Sequence, residues 1–414
     1  MPHSSRLPVL ALVVIPLVLF TLTSFHASDP TQEQPSTVLL VSLDGFRADY
    51  LEWYQPAALN QLAQEGVRAE YLESVFPSST FPNHYTLMTG RYPDNHGIIS
   101  NRMTDSELGG FSPSNRDAIR DGRWWDDAEP LWVTLYKVGI KSGIYFWPGS
   151  EAAIHGVRPA EYRVFDDSTP WKTRINWALE ALARPETERP RLITLYFGEA
   201  DQVGHQHGPH GDHMRSAVEN VDKYVGHLIQ NLDEAGLLDQ INLIITSDHG
   251  MVATSQDSVV ILDDFIDLKE MVIADWNPVL ALRPADGNET RLLTKLQEIP
   301  HFAFYRKADV PEHLHYGDHG RIQPIIGIPD LGWLVASRKA FEVNPRLFDG
   351  GAHGYDPTHS SMRGIFIARG PAFKQGKVVE GFSIVHVYAL LCEVLGVPPE
   401  ENDGNLDLVQ HLLR

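Results

Sequence analysis

Short runs of apolar, largely β-branched residues punctuate the chain: TVLLVSL at 37–43, KSGIYFW at 141–147, RLITLYF at 191–197, INLIITS at 241–247, LGWLVAS at 331–337 and MRGIFIARG at 362–370. Between them lie patterns with helical periodicity, ALNQLAQEG at 58–66, WKTRINWALEALA at 171–183 and HMRSAVENVDKYVGHLIQNLDEAG at 213–236. Continuous apolar strands alternating with amphipathic helices predict an α/β fold, a mainly parallel sheet with helices on both faces. Gly66, Gly139 and Gly236 stand where helix C-caps belong. The rhythm breaks at 260–350, which reads as a small inserted subdomain, an antiparallel unit between two core strands.

The amino-terminal stretch has a different pattern. Residues 7–25 are uncharged and apolar, preceded by Arg6, which predicts a signal peptide or an uncleaved membrane anchor over 1–27. Residues 28–36 read as a linker and 37–414 as one soluble catalytic domain. The expectation is an exported protein, periplasmic or secreted, with membrane tethering by the amino-terminal segment as the alternative.

Composition narrows the chemistry. The 414 residues carry 54 Asp and Glu against 34 Lys and Arg, a formal charge of −20. That balance argues against a stable nucleic-acid partner, which requires counter-charge, but leaves open a small phosphate ester bound where metal ions reverse the local sign. Nineteen His accompany a single cysteine, Cys392, in the apolar run VHVYALLCEVLG. No disulfide can form within the chain, and any metal site must use His and carboxylate ligands. The absence of disulfides and of Cys-rich modules points to a bacterial, periplasmic protein.

Polar residues gather where the strands end. Asp44 follows the first strand, Asp201 and His205 follow the third, and Asp248 and His249 follow the fourth. Ligands bind beyond the carboxyl ends of strands in open α/β sheets. His353 joins from the Gly-rich GGAHGYDP. Oxygen and nitrogen ligands in two Asp/His groups suggest two Zn²⁺ ions. Taken singly, each Asp reads equally as a turn or cap residue, and Asp201 and His205 suit a helical face or an irregular turn around Gly204. In ESVFPSSTFPNHYTLMTG, Thr80 falls near the start of a helix, where backbone N–H groups favour an anion. Its hydroxyl is a nucleophile once activated, and Asn101 offers an amide to a developing oxyanion. A helix cap at Thr80 and a turn at Asn101 stand as the plain structural alternatives.

The motifs VSLDGFRADYL, FPSSTFPNHYTLMTGRYPDNHGIISN, YFGEADQVGHQHGP, IITSDHGM and GAHGYDP, in this order, resemble the nucleotide pyrophosphatase/phosphodiesterase family of the alkaline phosphatase superfamily. The resemblance runs from about Thr37 onward. It implies an alkaline-phosphatase-like core and two Zn²⁺ ions, one held by Asp201, His205 and His353, the other by Asp44, Thr80, Asp248 and His249. It further implies hydrolysis of nucleotide phosphodiester or pyrophosphate bonds to nucleoside 5′-monophosphates. Thr80 would be the nucleophile that carries a covalent phosphoryl group, and Asn101 with the Thr80 N–H would stabilise the transition state. Pro357 departs from the family's usual Asn, outside the ligand set. Tyr196 and Tyr162 are candidates for stacking on the substrate's base, with the 146–156 loop as a pocket wall. Two other readings remain: a phospholipase C-like diesterase acting on lysophospholipid or choline-phosphate esters, and a non-catalytic phosphate-ester binding protein.

Overall fold

Strand Val38–Leu43 is buried along its whole length and pairs in parallel with Leu192–Phe197 on one side and Asn242–Thr246 on the other. Its side chains alternate between two cores, as strand geometry requires. Val38 and Leu40 pack into one, while Leu39, Val41 and Leu43 pack into the other. A strand with no wet face reads as a continuous apolar run, which is why this element stands out in the sequence.

The strand lies inside an eight-stranded sheet in the order Lys377–Val379, Val67–Ala69, Phe366–Arg369, Asn242–Thr246, Val38–Leu43, Leu192–Phe197, Ser142–Tyr145, Glu161–Arg163. This computed structural model describes Met1, His3 and residues 36–414. The chain divides into units 1–34 and 35–414, and every described element belongs to the second. The signal or anchor segment and the linker expected up to residue 36 fall outside the described residues, apart from Met1, His3 and Ser36. Among the described residues no helix is long and apolar enough to cross a membrane.

Helices cover both faces. Ala57–Glu65, Trp171–Leu182 and Asp212–Glu234 bury Leu59, Ile175 and Val221 against one core. Asp212–Glu234 buries Met214, Val218, Val221, Val225, Leu228 and Leu232, spaced three or four apart, so that one stripe faces the sheet. Thr80–Thr89 and Val387–Leu395 cover the opposite face with Tyr85, Met88, Leu390 and Leu391.

Two strand runs behave differently from a simple parallel reading. Phe366–Arg369 joins the main sheet but is antiparallel to both neighbours. The run at 331–337 stays outside it: Gly332 turns the chain at φ +84°, and only Leu334–Ala336 is strand, paired with Val259–Ile261. Between Asn242–Thr246 and Phe366–Arg369 in sequence lies a four-stranded antiparallel sheet, ordered Met271–Asp275, Leu280–Pro284, Ile325–Pro329, Phe302–Arg306. Helix Glu289–Leu296 packs on it, and Leu282, Leu292, Leu296 and Ile325 share its separate core.

The parallel strands end in register. Leu43 lies opposite Phe197, Ser42 lies opposite Thr246, and the Asp44 N–H donates to the Phe197 carbonyl at 2.9 Å. The residues that follow these strands therefore reach one common rim.

Candidate active site

Asp44 is the first residue beyond its strand, and the chain then turns at Gly45, with φ +66°. A Cβ at Gly45 would lie 2.9 Å from both Cα and Cβ of Asp201. Glycine thus serves two needs, the left-handed conformation and the close approach of two acidic segments. The Gly45 N–H donates to Asp248 Oδ1 at 3.2 Å, and the Phe46 N–H donates to Ser247 Oγ at 3.0 Å. The ends of two strands are stitched together at this point.

Asp201 and His205 share helix Glu199–His207 one turn apart, which decides between the helical and irregular readings. Gly204 between them packs on Met251, whose Cε would lie 2.8 Å from a Cβ there. His353 arrives just after Gly350–Ala352, which pairs antiparallel with Val252–Thr254. Its Nε2 is 3.5 Å from Asp201 Oδ1, and His205 Nε2 is 3.4 Å from the same oxygen. In the second group, His249 Nε2 stands 3.3 Å from Asp44 Oδ1 and 3.1 Å from Asp248 Oδ2. Within Asp201, His205 and His353, and again within Asp44, Asp248 and His249, the ligand atoms all lie within 4.8 Å of one another.

Several observations fit divalent ions at these groups. Asp44 Oδ1, Asp201 Oδ1 and Asp248 Oδ2 are buried with no hydrogen-bond donor, a costly arrangement unless a cation completes it. Burial, followed by the charges of Asp248 and Asp201, raises the Asp44 carboxyl well above the usual range. Burial also raises Asp201. Burial alone would raise Asp248 too, but His249 and His84 beside it hold it well below that range. Burial works against a charge on His249, yet Asp248 and Asp44 lift it to about 10. A cation would satisfy the same field without a proton.

The imidazoles are aimed for this purpose. His205 Nδ1 faces the Gly351 carbonyl at 2.9 Å, His249 Nδ1 the Gly250 carbonyl at 2.8 Å, and His353 Nδ1 the Ser78 carbonyl at 2.9 Å. A carbonyl only accepts, so each Nδ1 carries the proton and each Nε2 presents its lone pair to the carboxylates. The two Asp/His clusters are positioned to chelate two metal ions, and the nitrogen and oxygen donors, with no thiolate, suit zinc.

Thr80 is the first residue of helix Thr80–Thr89, preceded by an extended Ser79 that makes no side-chain cap. Its Oγ1 lies 3.3 Å from His249 Nε2. The Thr80 hydroxyl thus faces the second cluster and does not cap its own helix. Asn101 Oδ1 accepts from the Phe81 N–H at 2.8 Å, which leaves the Asn101 amide nitrogen as a donor next to Thr80. His84, one turn along the helix, donates from Nδ1 to the Thr80 carbonyl at 2.9 Å, and its Nδ1 lies 3.2 Å from Asp248 Oδ2.

Asp44, Thr80, Asn101 and Asp201 line one pocket. Five aromatic side chains, Phe81, Phe146, Trp147, Phe165 and Tyr196, share its wall with Pro113, Ile119 and Pro148. Tyr196 is there as expected by position, but its hydroxyl donates to Asp44 Oδ2 at 2.6 Å, so it supports a carboxylate of the metal group. Tyr162 lies on the edge strand Glu161–Arg163, packs against a hydrophobic core and does not line the pocket. The 146–156 loop forms part of the wall as expected and brings in the buried Glu151, whose meeting with Arg116 in the pocket no motif in the sequence marks. Glu151 accepts from the Arg116 guanidinium, from Arg120 Nε at 3.3 Å and from the Phe165 N–H at 3.0 Å.

Comparison with known proteins supports the same reading. The family model of type I phosphodiesterase / nucleotide pyrophosphatase matches residues 38–356. The chain is 35% identical over 402 residues to bis(5′-adenosyl)-triphosphatase enpp4 of Xenopus laevis, covering 97% of this chain and 87% of the frog protein. The solved structure of murine ectonucleotide pyrophosphatase / phosphodiesterase 5 superposes with a TM-score of 0.87 at 35% identity, covering 92% of this chain and all of that one. An inactive threonine-to-alanine variant of the murine protein, in complex with AMP, matches equally well. Both source organisms are eukaryotes, which removes support for the bacterial source and periplasmic destination expected from the cysteine content.

Proposed function

The chain belongs to the type I phosphodiesterase / nucleotide pyrophosphatase family, and from that premise we propose that it cleaves nucleotide phosphodiester or pyrophosphate bonds to nucleoside 5′-monophosphates through Thr80. One observation carries the proposal: Thr80, a carboxylate from each metal-fitted cluster and a wall of aromatic rings line the same pocket.

Asp201, His205 and His353 would hold one Zn²⁺, and Asp44, Asp248 and His249 with Thr80 would hold the other. The two ions supply Lewis-acid charge that lowers the basicity of the attacking oxygen and stabilises the departing one. Thr80 Oγ1 attacks phosphorus, the Oγ1–P bond forms, the P–O bond to the leaving group breaks, and the hydroxyl proton is taken up by solvent or the departing oxygen. Water then attacks the nucleotidyl-threonine, the Oγ1–P bond breaks, the 5′-monophosphate is released and a proton from the water restores the Thr80 hydroxyl. Throughout, the Asn101 amide and the Thr80 N–H at the start of helix Thr80–Thr89 face the phosphoryl oxygens, where negative charge builds up. Phe81 and Phe165 offer faces on which a base stacks, a role we assign to them in preference to Tyr196 and Tyr162.

The pocket favours a nucleotide over a choline ester. A quaternary ammonium calls for aromatic faces with a free negative charge nearby. The only carboxylate in the aromatic part is Glu151, already committed to two guanidiniums and a backbone N–H. The complete ligand set and Thr80 argue against a binding protein without turnover. We also propose that 37–414 is the catalytic domain, with 260–350 inserted into it. The apolar run at 7–25 supports export, either released or tethered to a membrane.

The test is steady-state kinetics of the zinc-loaded protein on three p-nitrophenyl substrates: a nucleoside 5′-monophosphate ester, phosphate and phosphorylcholine. The expected result is the highest kcat/KM for the nucleotide ester. A preference for phosphorylcholine would overturn the substrate assignment, and no turnover of any ester would overturn the enzyme.

A further inference from the structure

Asn101 sits on the loop 97–102, which leads into strand Met103–Asp105, and residues from 260–350 hold this segment on several sides. The Tyr316 hydroxyl donates to the Ile99 carbonyl at 3.3 Å, the Arg321 guanidinium to the Gly97 carbonyl at 2.8 Å, and the Gln323 amide to Thr104 Oγ1 at 3.1 Å. None of these touches a residue next to Asn101. One contact does: the Ser100 hydroxyl donates to Asp275 Oδ2 at 2.6 Å.

Asp275 is the last residue of strand Met271–Asp275, where the register with Leu280–Pro284 shifts between Ile273 and Asp275. Such a bulge re-aims the side chain that follows it. In this strand it turns a carboxylate out of the accessory sheet and onto Ser100. Its second oxygen, Oδ1, accepts from the Trp276 N–H at 2.9 Å, so the carboxylate is gripped by its own backbone while it grips the loop. The segment that follows touches the site from another side. At Gly354, which follows His353, a Cβ would lie 2.8 Å from Pro278 Cδ and 3.0 Å from Ser79 Oγ. Residues 275–278 therefore stand against the neighbours of both Asn101 and His353.

We propose that Asp275 is a positioning residue for the reaction: by receiving the Ser100 hydroxyl it fixes the loop that aims the Asn101 amide at the phosphoryl oxygens. The accessory sheet then contributes to transition-state stabilisation without touching substrate. This rests on the role of Asn101 in the proposed reaction. The mechanism requires that the Asn101 nitrogen be placed finely, because its other amide atom is already tied to the Phe81 N–H. Freeing Ser100 removes the tie adjacent to Asn101 and leaves its position to the Phe81 bond and to the more distant contacts at Gly97, Ile99 and Thr104.

The experiment is a double-mutant cycle on the zinc-loaded full chain with the nucleotide p-nitrophenyl ester, comparing wild type, Asn101→Ala, Asp275→Ala and the double variant. Asp275→Ala is expected to lower kcat by about 10- to 100-fold with KM changed less than about 2-fold. In the Asn101→Ala background the same change should cost less than about 2-fold, because its route of action is already gone. Asp275→Asn, whose amide oxygen can stay on the Trp276 N–H while its nitrogen donates to Ser100 Oγ, keeps the link to the loop and should recover most of the loss. Ser100→Ala cuts the same link and serves in place of Asp275→Ala if that variant fails to fold. Equal losses in both backgrounds, or an unchanged kcat, would overturn the proposal while leaving Asn101 its role. An Asn101→Ala protein with undiminished kcat would instead remove the role of Asn101, and the inference with it.

Discussion

Tyr196 shows how a residue can be found for one reason and matter for another. Its place five residues before Asp201 suggests a stacking platform, yet its hydroxyl donates to Asp44 Oδ2 at 2.6 Å and leaves Oδ1 of the same carboxylate bare and buried. A donor in that position orients a ligand carboxylate. Tyr196→Phe should therefore weaken zinc affinity or activity by roughly 10- to 100-fold, read by zinc titration beside kinetics. A variant with altered KM but native zinc affinity would return Tyr196 to the substrate. Thr80→Ala tests the nucleophile: kcat should fall by at least about 1,000-fold, with the zinc at Asp201, His205 and His353 retained by metal analysis. Residual turnover near wild type would exclude the covalent route. Asp44, Asp201, Asp248 and His249 were legible because carboxylates and imidazoles directly after apolar strands are conspicuous. Glu151 and Arg116 were not, since they are 35 residues apart and meet only through the fold.

His96 ties two helices together. It closes the short helix Pro93–His96 and sits buried against helix Thr80–Thr89. The Thr86 hydroxyl donates to the Arg91 carbonyl at 2.8 Å, so His96 Nε2–H donates to Thr86 Oγ1 at 3.1 Å. The Ile98 N–H donates to His96 Nδ1 at 3.1 Å, and adding a proton there would break that bond. Burial accordingly pushes the imidazole down to about 3. Because the folded value lies below the ordinary one, the unfolded chain binds the extra proton first as pH falls. Stability from this group is complete above about pH 6.5 and is lost towards pH 3, by an amount on the order of a few kcal/mol. Denaturant unfolding of the wild type and His96→Gln across that window should show a stability difference that shrinks with acid; a constant difference would contradict the assignment. Element boundaries were harder to read than chemistry. LGWLVAS has the composition of a core strand, but Gly332 turns the chain inside it. Nothing in MRGIFIARG signals that Phe366–Arg369 runs against its neighbours, because direction depends on the path of the preceding 260–350 segment and not on local pattern.

An acidic chain of formal charge −20 folds around three carboxylates that face one another, Asp44 and Asp248 buried and Asp201 partly so with its Oδ1 enclosed. Without cations, the folded state bears the cost of desolvating Asp44, Asp201 and Asp248 and of setting them side by side, a cost the unfolded chain avoids. Zinc should therefore act on stability as well as on rate. At a free concentration about 1,000 times Kd, one site binding only the folded state adds about 4 kcal/mol. Chelation should lower Tm by several degrees and abolish turnover of the nucleotide ester together, and re-added Zn²⁺ should restore both. Ca²⁺ should restore neither, because three of the six Asp and His ligands are imidazole nitrogens and Ca²⁺ takes oxygen. Two sites joined through neighbouring carboxylates also predict that zinc titration will show Tm rising in step with activity only once the second equivalent binds. Full activity at one equivalent would mean that a single ion suffices, and the pairing of the two clusters around Thr80 would then need another explanation.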